Sequence, residues 1–350
     1  MVVMIHSQPM RRSLAAILWS AVGSVNGGLL HGNGLLELRC RSGAALSSLD
    51  AIETGLTNPA TGILLVVDGS ESCDADAILL ASLEQRDRIA LLRREAGVRE
   101  ALRAHPCVIA VGAGRHVDGT AAGLFMAADY RIVNEQTSLS LSGCQMGLLP
   151  SGLSLLGAAV DDDAGCALAM AFAVGATHLN AHDAHRVLSA RFVRSADLPE
   201  LLEELRRSPS EYLDVPIARR SGIVPAHHAN LLRRGVDTAV ERVFGAEDDR
   251  AMLESLGHER RQVAKLLDSC AWQTREVAEG VSDVLTAAAK ALDPQRASAP
   301  ALRETVRVLR RCFEASDAAR AHRIELQAME RLAKRADFAP RARAGVRHAS

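Results

Sequence analysis

HPCVIAVGAGRHVDGTAAGLFMAADYRIV, residues 105 to 133, is the stretch on which the fold turns. His105-Pro106 stops whatever precedes it, because the residue before a proline is pushed out of the helical region. Cys107 to Val111 (CVIAV) is a short, wholly apolar run, the pattern of a strand buried on both faces. A glycine-bearing turn follows, Gly119 to Ala128 predicts a helix of small residues, and Tyr130 to Val133 (YRIV) predicts another strand. Gly119 opens its helix directly after a strand. A helix N-terminus offers free N–H groups and a positive dipole end to a developing oxyanion, and glycine lets a ligand come close to backbone. Glycine opens many helices, so this turn alone says little.

Upstream, Leu35 to Arg39 predicts a short strand, and Ala44 to Leu56 predicts one amphipathic helix with Leu46, Leu49, Ile52 and Leu56 on its apolar side. Asn58-Pro59 breaks it. Gly62 to Val67 (GILLVV) predicts a buried strand ended by Asp68-Gly69-Ser70, and Asp76 to Glu84 and Arg88 to Ala104 predict helices with charged outer faces. The alternation points to an α/β core with largely parallel strands. From about residue 197 to 335 the chain turns charged and helix-periodic, with Asp293 to Pro300 as its clearest turn. The expected organisation is a presequence over 1–30, an α/β core over 31–196 and a helical region with a basic tail over 197–350.

Composition narrows the function classes. A net charge of −1 gives no global pull toward nucleic acid or an acidic partner, and 3% aromatic residues argue against a base-stacking platform. No run approaches the roughly 20 apolar residues that span a bilayer. Seven dispersed cysteines without a CxxC pair give neither a zinc site nor a disulfide framework, and fit a reducing compartment. Only three of the 41 basic residues are lysines. Arginine suits phosphate contacts, although a compositional bias shared with the abundant Ala and Gly is the simpler account. The first 36 residues hold no acid, and Arg11-Arg12 precede the apolar run Leu14 to Val22, as in a mitochondrial presequence. A ragged terminus or a secretory signal reads similarly.

In series, these segments resemble the crotonase superfamily. After His105–Val133, the stretch LSLSGCQMGLLPSGLSLLGAAV (139–160) is similar to F-x-x-P-E-x-x-[IL]-G-[LF]-x-P-D, with Gly147, Leu148 and Pro150 on fixed points. GATHLNAHDAHRVLSARFV (175–193) is similar to the segment with a central D-A step, here Asp183-Ala184. SAPALRETVRVL (298–309) and IELQAMERLAKRADFAPRARAGV (324–346) resemble the 3-hydroxyisobutyryl-CoA hydrolase branch, with Asp337-Phe338 and Gly345-Val346 marking the fit. The resemblance implies a ClpP/crotonase core of repeated ββα units with a helical C-terminal extension.

It also implies a site. Two backbone N–H groups, near Ala75 to Ala77 and near Thr120 beside Gly119, would hold a thioester carbonyl. The departures are specific. Asp74-Ala75 and Gly119-Thr120-Ala121 stand where the family keeps glycines, so side chains occupy ground reserved for bare backbone. The degenerate oxyanion positions are Ala75, Asp76, Gly119 and Thr120. The family's Glu falls on Gly143 and its Asp on Ser151, which leaves no catalytic acid or base there. Cys144, His116 and Asp118 are the nearby substitutes; Cys144 would need a depressed pKa to act. The acidic run Asp161-Asp162-Asp163 reads as a solvated loop rather than a metal site. The expectation is a non-catalytic hydrolase-like protein without cofactor or metal. It would act in the mitochondrion as a structural subunit, the small ribosomal subunit being the assembly that the resemblance brings forward. Its partners would be proteins and rRNA, with CoA thioester binding disfavoured and no membrane. Arg331, Lys334, Arg335, Arg341, Arg343 and Arg347 against Asp337 could meet phosphates or simply form a solvated helix end. The alternative is a working acyl-CoA hydrolase or hydratase with displaced catalytic groups.

Overall fold

The computed structural model describes residues 29–335 apart from 32–33, 43, 58–61, 69–74, 161, 209, 224–229, 269–271 and 294–296. The expected presequence up to residue 28, Asn58-Pro59, Gly69-Ser70, Asp74, Asp161, the Asp337-Phe338 and Gly345-Val346 pairs and the arginines beyond 335 lie outside the described residues.

The main sheet is built from β1 (Leu29–Leu30), β2 (Leu35–Arg41), β3 (Gly62–Asp68), β4 (Val108–Gly112), β6 (Tyr130–Val133) and β8 (Arg191–Phe192), hydrogen-bonded in that order. All pairs are parallel except β1 with β2. Two further strands, β5 (His116–Asp118) and β7 (Ser138–Ser140), pair in parallel beside it. Strand β3 as far as Val67 and the whole of β4 are apolar without interruption because both faces of the sheet are covered. Ile63, Leu65, Val67, Val108 and Ala110 face the larger core, whereas Leu64, Val66, Ile109 and Val111 face the smaller one. That parity is the two-residue period of a strand.

The helices that follow in the chain are α1 (Leu49–Leu56), α2 (Ala75–Ser82), α3 (Gln85–Ala104), α4 (Gly119–Met126), α5 (Gly143–Met146), α6 (Leu153–Ala159), α7 (Asp163–Ala173) and α8 (Ala181–Leu188), and all but the short α5 add side chains to the larger core. The smaller core is closed by α9 (Leu198–Arg207) and α10 (Asp214–Arg220), through Leu201, Leu205, Leu213 and Ile217. Beyond them, α11 (Asn230–Phe244), α12 (Asp249–Leu267), α13 (Trp272–Leu292), α14 (Ala299–Phe313) and α15 (Ala318–Ala333) return to the larger core. Among the described residues no strand follows β8, and no helix is long and apolar enough to cross a membrane.

One expected element divides. Ala44 to Leu56 is a 3-10 turn, Ala45–Ser48, followed by α1. The reason is tertiary: the Asp76 carboxylate accepts from Ala45 N–H at 3.0 Å and Leu46 N–H at 2.9 Å. This capping from 30 residues away satisfies the turn's free donors.

Candidate active site

Strand β5 delivers Asp118 to the start of α4, where Gly119 takes a left-handed backbone, φ +56°. The Asp118 carboxylate accepts from Gly119 N–H at 2.6 Å and from the Ser142 hydroxyl at 3.1 Å. Its own N–H donates to Ser42 Oγ at 2.9 Å. A carboxylate is a stable cap for a helix N-terminus. It also sets negative charge where a developing oxyanion needs positive potential. Opposite, Ala75 is the first residue of α2 and buried Asp76 points back to the 3-10 turn.

Between these turns lies a cavity of about 50 Å³ whose polar wall includes Asp76, Asp118, Thr120, Ser151, Glu95 and Glu325. Gly119 and Gly143 also line it, so the sequence candidates Asp76, Gly119, Thr120, Gly143 and Ser151 meet here. The space suits a few waters. It falls far short of the roughly 300 Å³ of a small-molecule pocket.

Gly143 begins α5, which Gly147 ends in the left-handed region, φ 80°. The chain then doubles back, with Leu148 N–H donating to Gly143 O at 2.9 Å. A Cβ on Gly143 would lie 2.9 Å from both Cα and N of Pro150 and 3.2 Å from the Leu149 carbonyl carbon. Backbone, not a movable side chain, occupies that ground.

A family model described as enoyl-CoA hydratase/isomerase matches residues 86–348. The chain belongs to this family. Its fold is crotonase-type, mixed α/β with a helical C-terminal region. It is similar to a carnitinyl-CoA dehydratase from Mycobacterium thermoresistibile, TM-score 0.64 at 13% identity, over 93% of this chain and 92% of that one. It is also similar to an enoyl-CoA hydratase from Rhodobacter sphaeroides, TM-score 0.63 at 19% identity, over 93% and 91%. No curated protein matches in sequence.

Within this family member, Ser151 is tied into a buried network. Its Oγ donates to Glu95 Oε1 at 2.6 Å and rests so close over α4 that a Cβ on Gly123 would lie 1.9 Å away. Glu95 pairs with Arg99 at 2.8 Å, and Arg99 with Glu325 of α15 at 2.7 Å. Glu325 also accepts from Gly152 N–H at 2.9 Å and Ser154 N–H at 2.8 Å, which caps α6. Each of the three charged groups is 2% exposed. Burial pushes the Glu95 carboxyl up, against the pull of Arg99 and Ser151, and the Glu325 charge adds to the rise. Burial would raise Glu325 too, but Arg99 and the Ser154 contacts hold it below the usual carboxylate range. Arg99 stays firmly charged: its burial is outweighed by the two carboxylates. Arg99 pulls both carboxyls down; burial and the neighbouring acid outweigh it at Glu95, whereas at Glu325 the Ser154 contacts side with Arg99 and the two titrations part.

The substitutes considered from sequence fare differently. Cys144 is fully buried, its Sγ 3.2 Å from Thr305 Oγ1, and burial pushes the thiol up to about 12. Such a thiol is not a nucleophile at neutral pH. His116 is exposed and does not line the cavity; Asp118 does, as the α4 cap. Asp183 of the D-A step is buried in an ion pair with Arg233. Asp162 caps α7 by accepting from the Gly165 N–H.

Sequence reasoning missed Glu95, Arg99 and Glu325 as site groups. A signal existed. Arg88, Leu92, Glu95, Arg99 and Leu102 recur at alternating four- and three-residue steps and are all buried. Charges in the core-facing stripe of a helix announce partners elsewhere in the chain. Ala321, Glu325, Ala328 and Leu332 repeat the pattern on α15.

Proposed function

We propose that this chain is a catalytically silent relative of 3-hydroxyisobutyryl-CoA hydrolase that serves as a structural subunit of a mitochondrial assembly. The observation behind it is the closure at Gly143, where Pro150 backbone fills the ground a catalytic side chain would need. Asp118 on the α4 N-terminus and the small cavity support the same reading. The branch assignment draws support from α14, whose motif-like start packs on the site. Ser298 caps it and donates its N–H to Cys144 O at 2.9 Å, and Thr305 meets the Cys144 sulfur. The mitochondrial address rests on the acid-free, arginine-bearing first 36 residues. The small ribosomal subunit, with protein and rRNA partners, is the assembly proposed. Tagged endogenous protein should cosediment with small-subunit particles on a sucrose gradient. Sedimentation solely as a free oligomer would sink the ribosomal role.

A second reading, a thioester hydrolase with displaced groups, draws on Glu95, a buried acid hydrogen-bonded to Ser151 in the cavity wall. Purified protein at high concentration should release no CoA thiol from 3-hydroxyisobutyryl-CoA above background. Release that disappears in Glu95→Gln would favour this second reading over the first.

A further inference from the structure

The outer side of the last two described helices is almost wholly arginine. α14 has three exposed positions, and they are Arg303, Arg307 and Arg311. Steps of four residues set them on one ridge, about 6 Å apart along the axis. The exposed positions of α15 are Ala319, Arg320, Arg323, Gln327 and Arg331. None of these eight is acidic. The carboxylates on the same two helices are turned aside. Glu325 is buried on Arg99, Glu330 faces Arg93 of α3, and Glu304 lies 15% exposed beneath Arg307 and Arg331. Glu314 and Asp317 sit in the connecting turn, where Asp317 caps α15. Residues 299–335 therefore hold nine Arg and Lys against five Asp and Glu, a net of +4 in a chain whose total is −1. By contrast, α12 exposes Glu254 beside Arg250 and two exposed leucines, Leu253 and Leu266.

Three features select the partner. Arginine's planar fork matches phosphate oxygens two at a time, which a lysine ammonium does not. No large apolar side chain is exposed between 299 and 335, so the face has nothing to insert into a lipid surface. Phe313, the aromatic residue of the pair, is half-buried, so bases have no ring to stack on. We infer that the outer face of α14 and α15 binds the phosphate backbone of a double-stranded RNA region without reading its sequence. This rests on the structural role proposed above and deepens it by naming the surface that meets the RNA, and it is tested on the free protein so that its failure and the failure of cosedimentation are separate results.

The experiment titrates full-length protein against a fluorescein-labelled, mixed-sequence RNA duplex over a salt series. One triple variant is Arg303→Gln, Arg307→Gln and Arg311→Gln. Its control is Arg207→Gln, Arg250→Gln and Arg275→Gln, three exposed arginines elsewhere. Each lost phosphate contact lowers the log–log salt slope by about 0.9, so the first triple should flatten it by about 2 to 3 and bind more than about tenfold more weakly. The control should match wild type. If the first triple melts early, the pair Arg320→Gln and Arg323→Gln takes its place, with a slope change of about 2. The inference is overturned if wild type fails to bind, if both triples lose equally, or if Arg341→Gln, Arg343→Gln and Arg347→Gln alone abolish binding. Equal affinity for phosphatidylserine vesicles or polyglutamate would overturn the RNA assignment.

Discussion

Gly143→Ala is the most direct challenge to the site as described. The added Cβ would stand 2.9 Å from Pro150 N and Cα and 3.2 Å from the Leu149 carbonyl carbon, against backbone that cannot rotate away. Relief requires moving the 148–151 segment, which Leu148 N–H fastens to Gly143 O and Ser151 Oγ fastens to Glu95. Overpacking of this kind costs about 1–3 kcal/mol. At roughly 2–4 °C per kcal/mol for a domain this large, the melting temperature should fall by about 2–12 °C. Differential scanning calorimetry, with urea denaturation in parallel, reads the change, and Ser140→Ala on β7 serves as a small-change control. The same geometry says that Gly143→Glu with Ser151→Asp gains no thioester hydrolysis, because the restored acid has no room. A Gly143→Ala protein within about 0.5 kcal/mol of wild type would refute the closure. So would a folded double variant that turns over acyl-CoA.

Arg99→Leu strands Glu95 and Glu325 in the core, and breaking a buried pair from one side costs about 3–5 kcal/mol; a loss below about 1 kcal/mol in urea denaturation would contradict the network. Glu95→Gln tests a sign. A carboxyl raised in the fold above its ordinary 4.5 contributes stability below that pH, lost as pH rises through the folded value, and the amide removes this dependence. Relative to wild type the variant should gain stability from about pH 4.5 upward, so parallel stability curves between about pH 4.5 and 8 would refute the shift. Glu325, held low, acts in the opposite sense and accounts for loss of stability as pH falls below 4.5. Cys144, with its thiol pushed up to about 12, should resist iodoacetamide at pH 7.5 until denaturant is added; native alkylation located there by mass spectrometry would contradict its burial.

Much of the sheet was legible because it depends on local pattern. YRIV is β6 to the residue, and the apolar runs at 62 and 107 are β3 and β4 within one residue at either end. The candidate positions Asp76, Gly119, Thr120, Gly143 and Ser151 came from a motif order collinear with the family, and the fold brings them to one cavity. What escaped depends on distance across the structure. The split at Ala45–Ser48 needs Asp76 to arrive, and the fit at Gly143 needs the turn at Gly147 to close. Glu95 and Arg99 look like ordinary surface charges on a helix until Glu325 is placed beside them. The arginine face was hidden for the converse reason: its acids are present in the sequence, and burial alone shows which are withdrawn.

The Glu325 contacts have a consequence for how the molecule comes into being. Gly152 N–H waits for a carboxylate 173 residues further along the chain, and the Arg99 guanidinium waits for the same group. A nascent chain that has not yet delivered α15 holds the Glu95–Arg99 pair and the α6 donors with one partner missing. Water must stand in, and the wall of the cavity cannot seal. The last described helix therefore acts as the closing step of assembly. Polypeptides cut short before residue 325 should remain loosely packed at the centre, however complete their sheet.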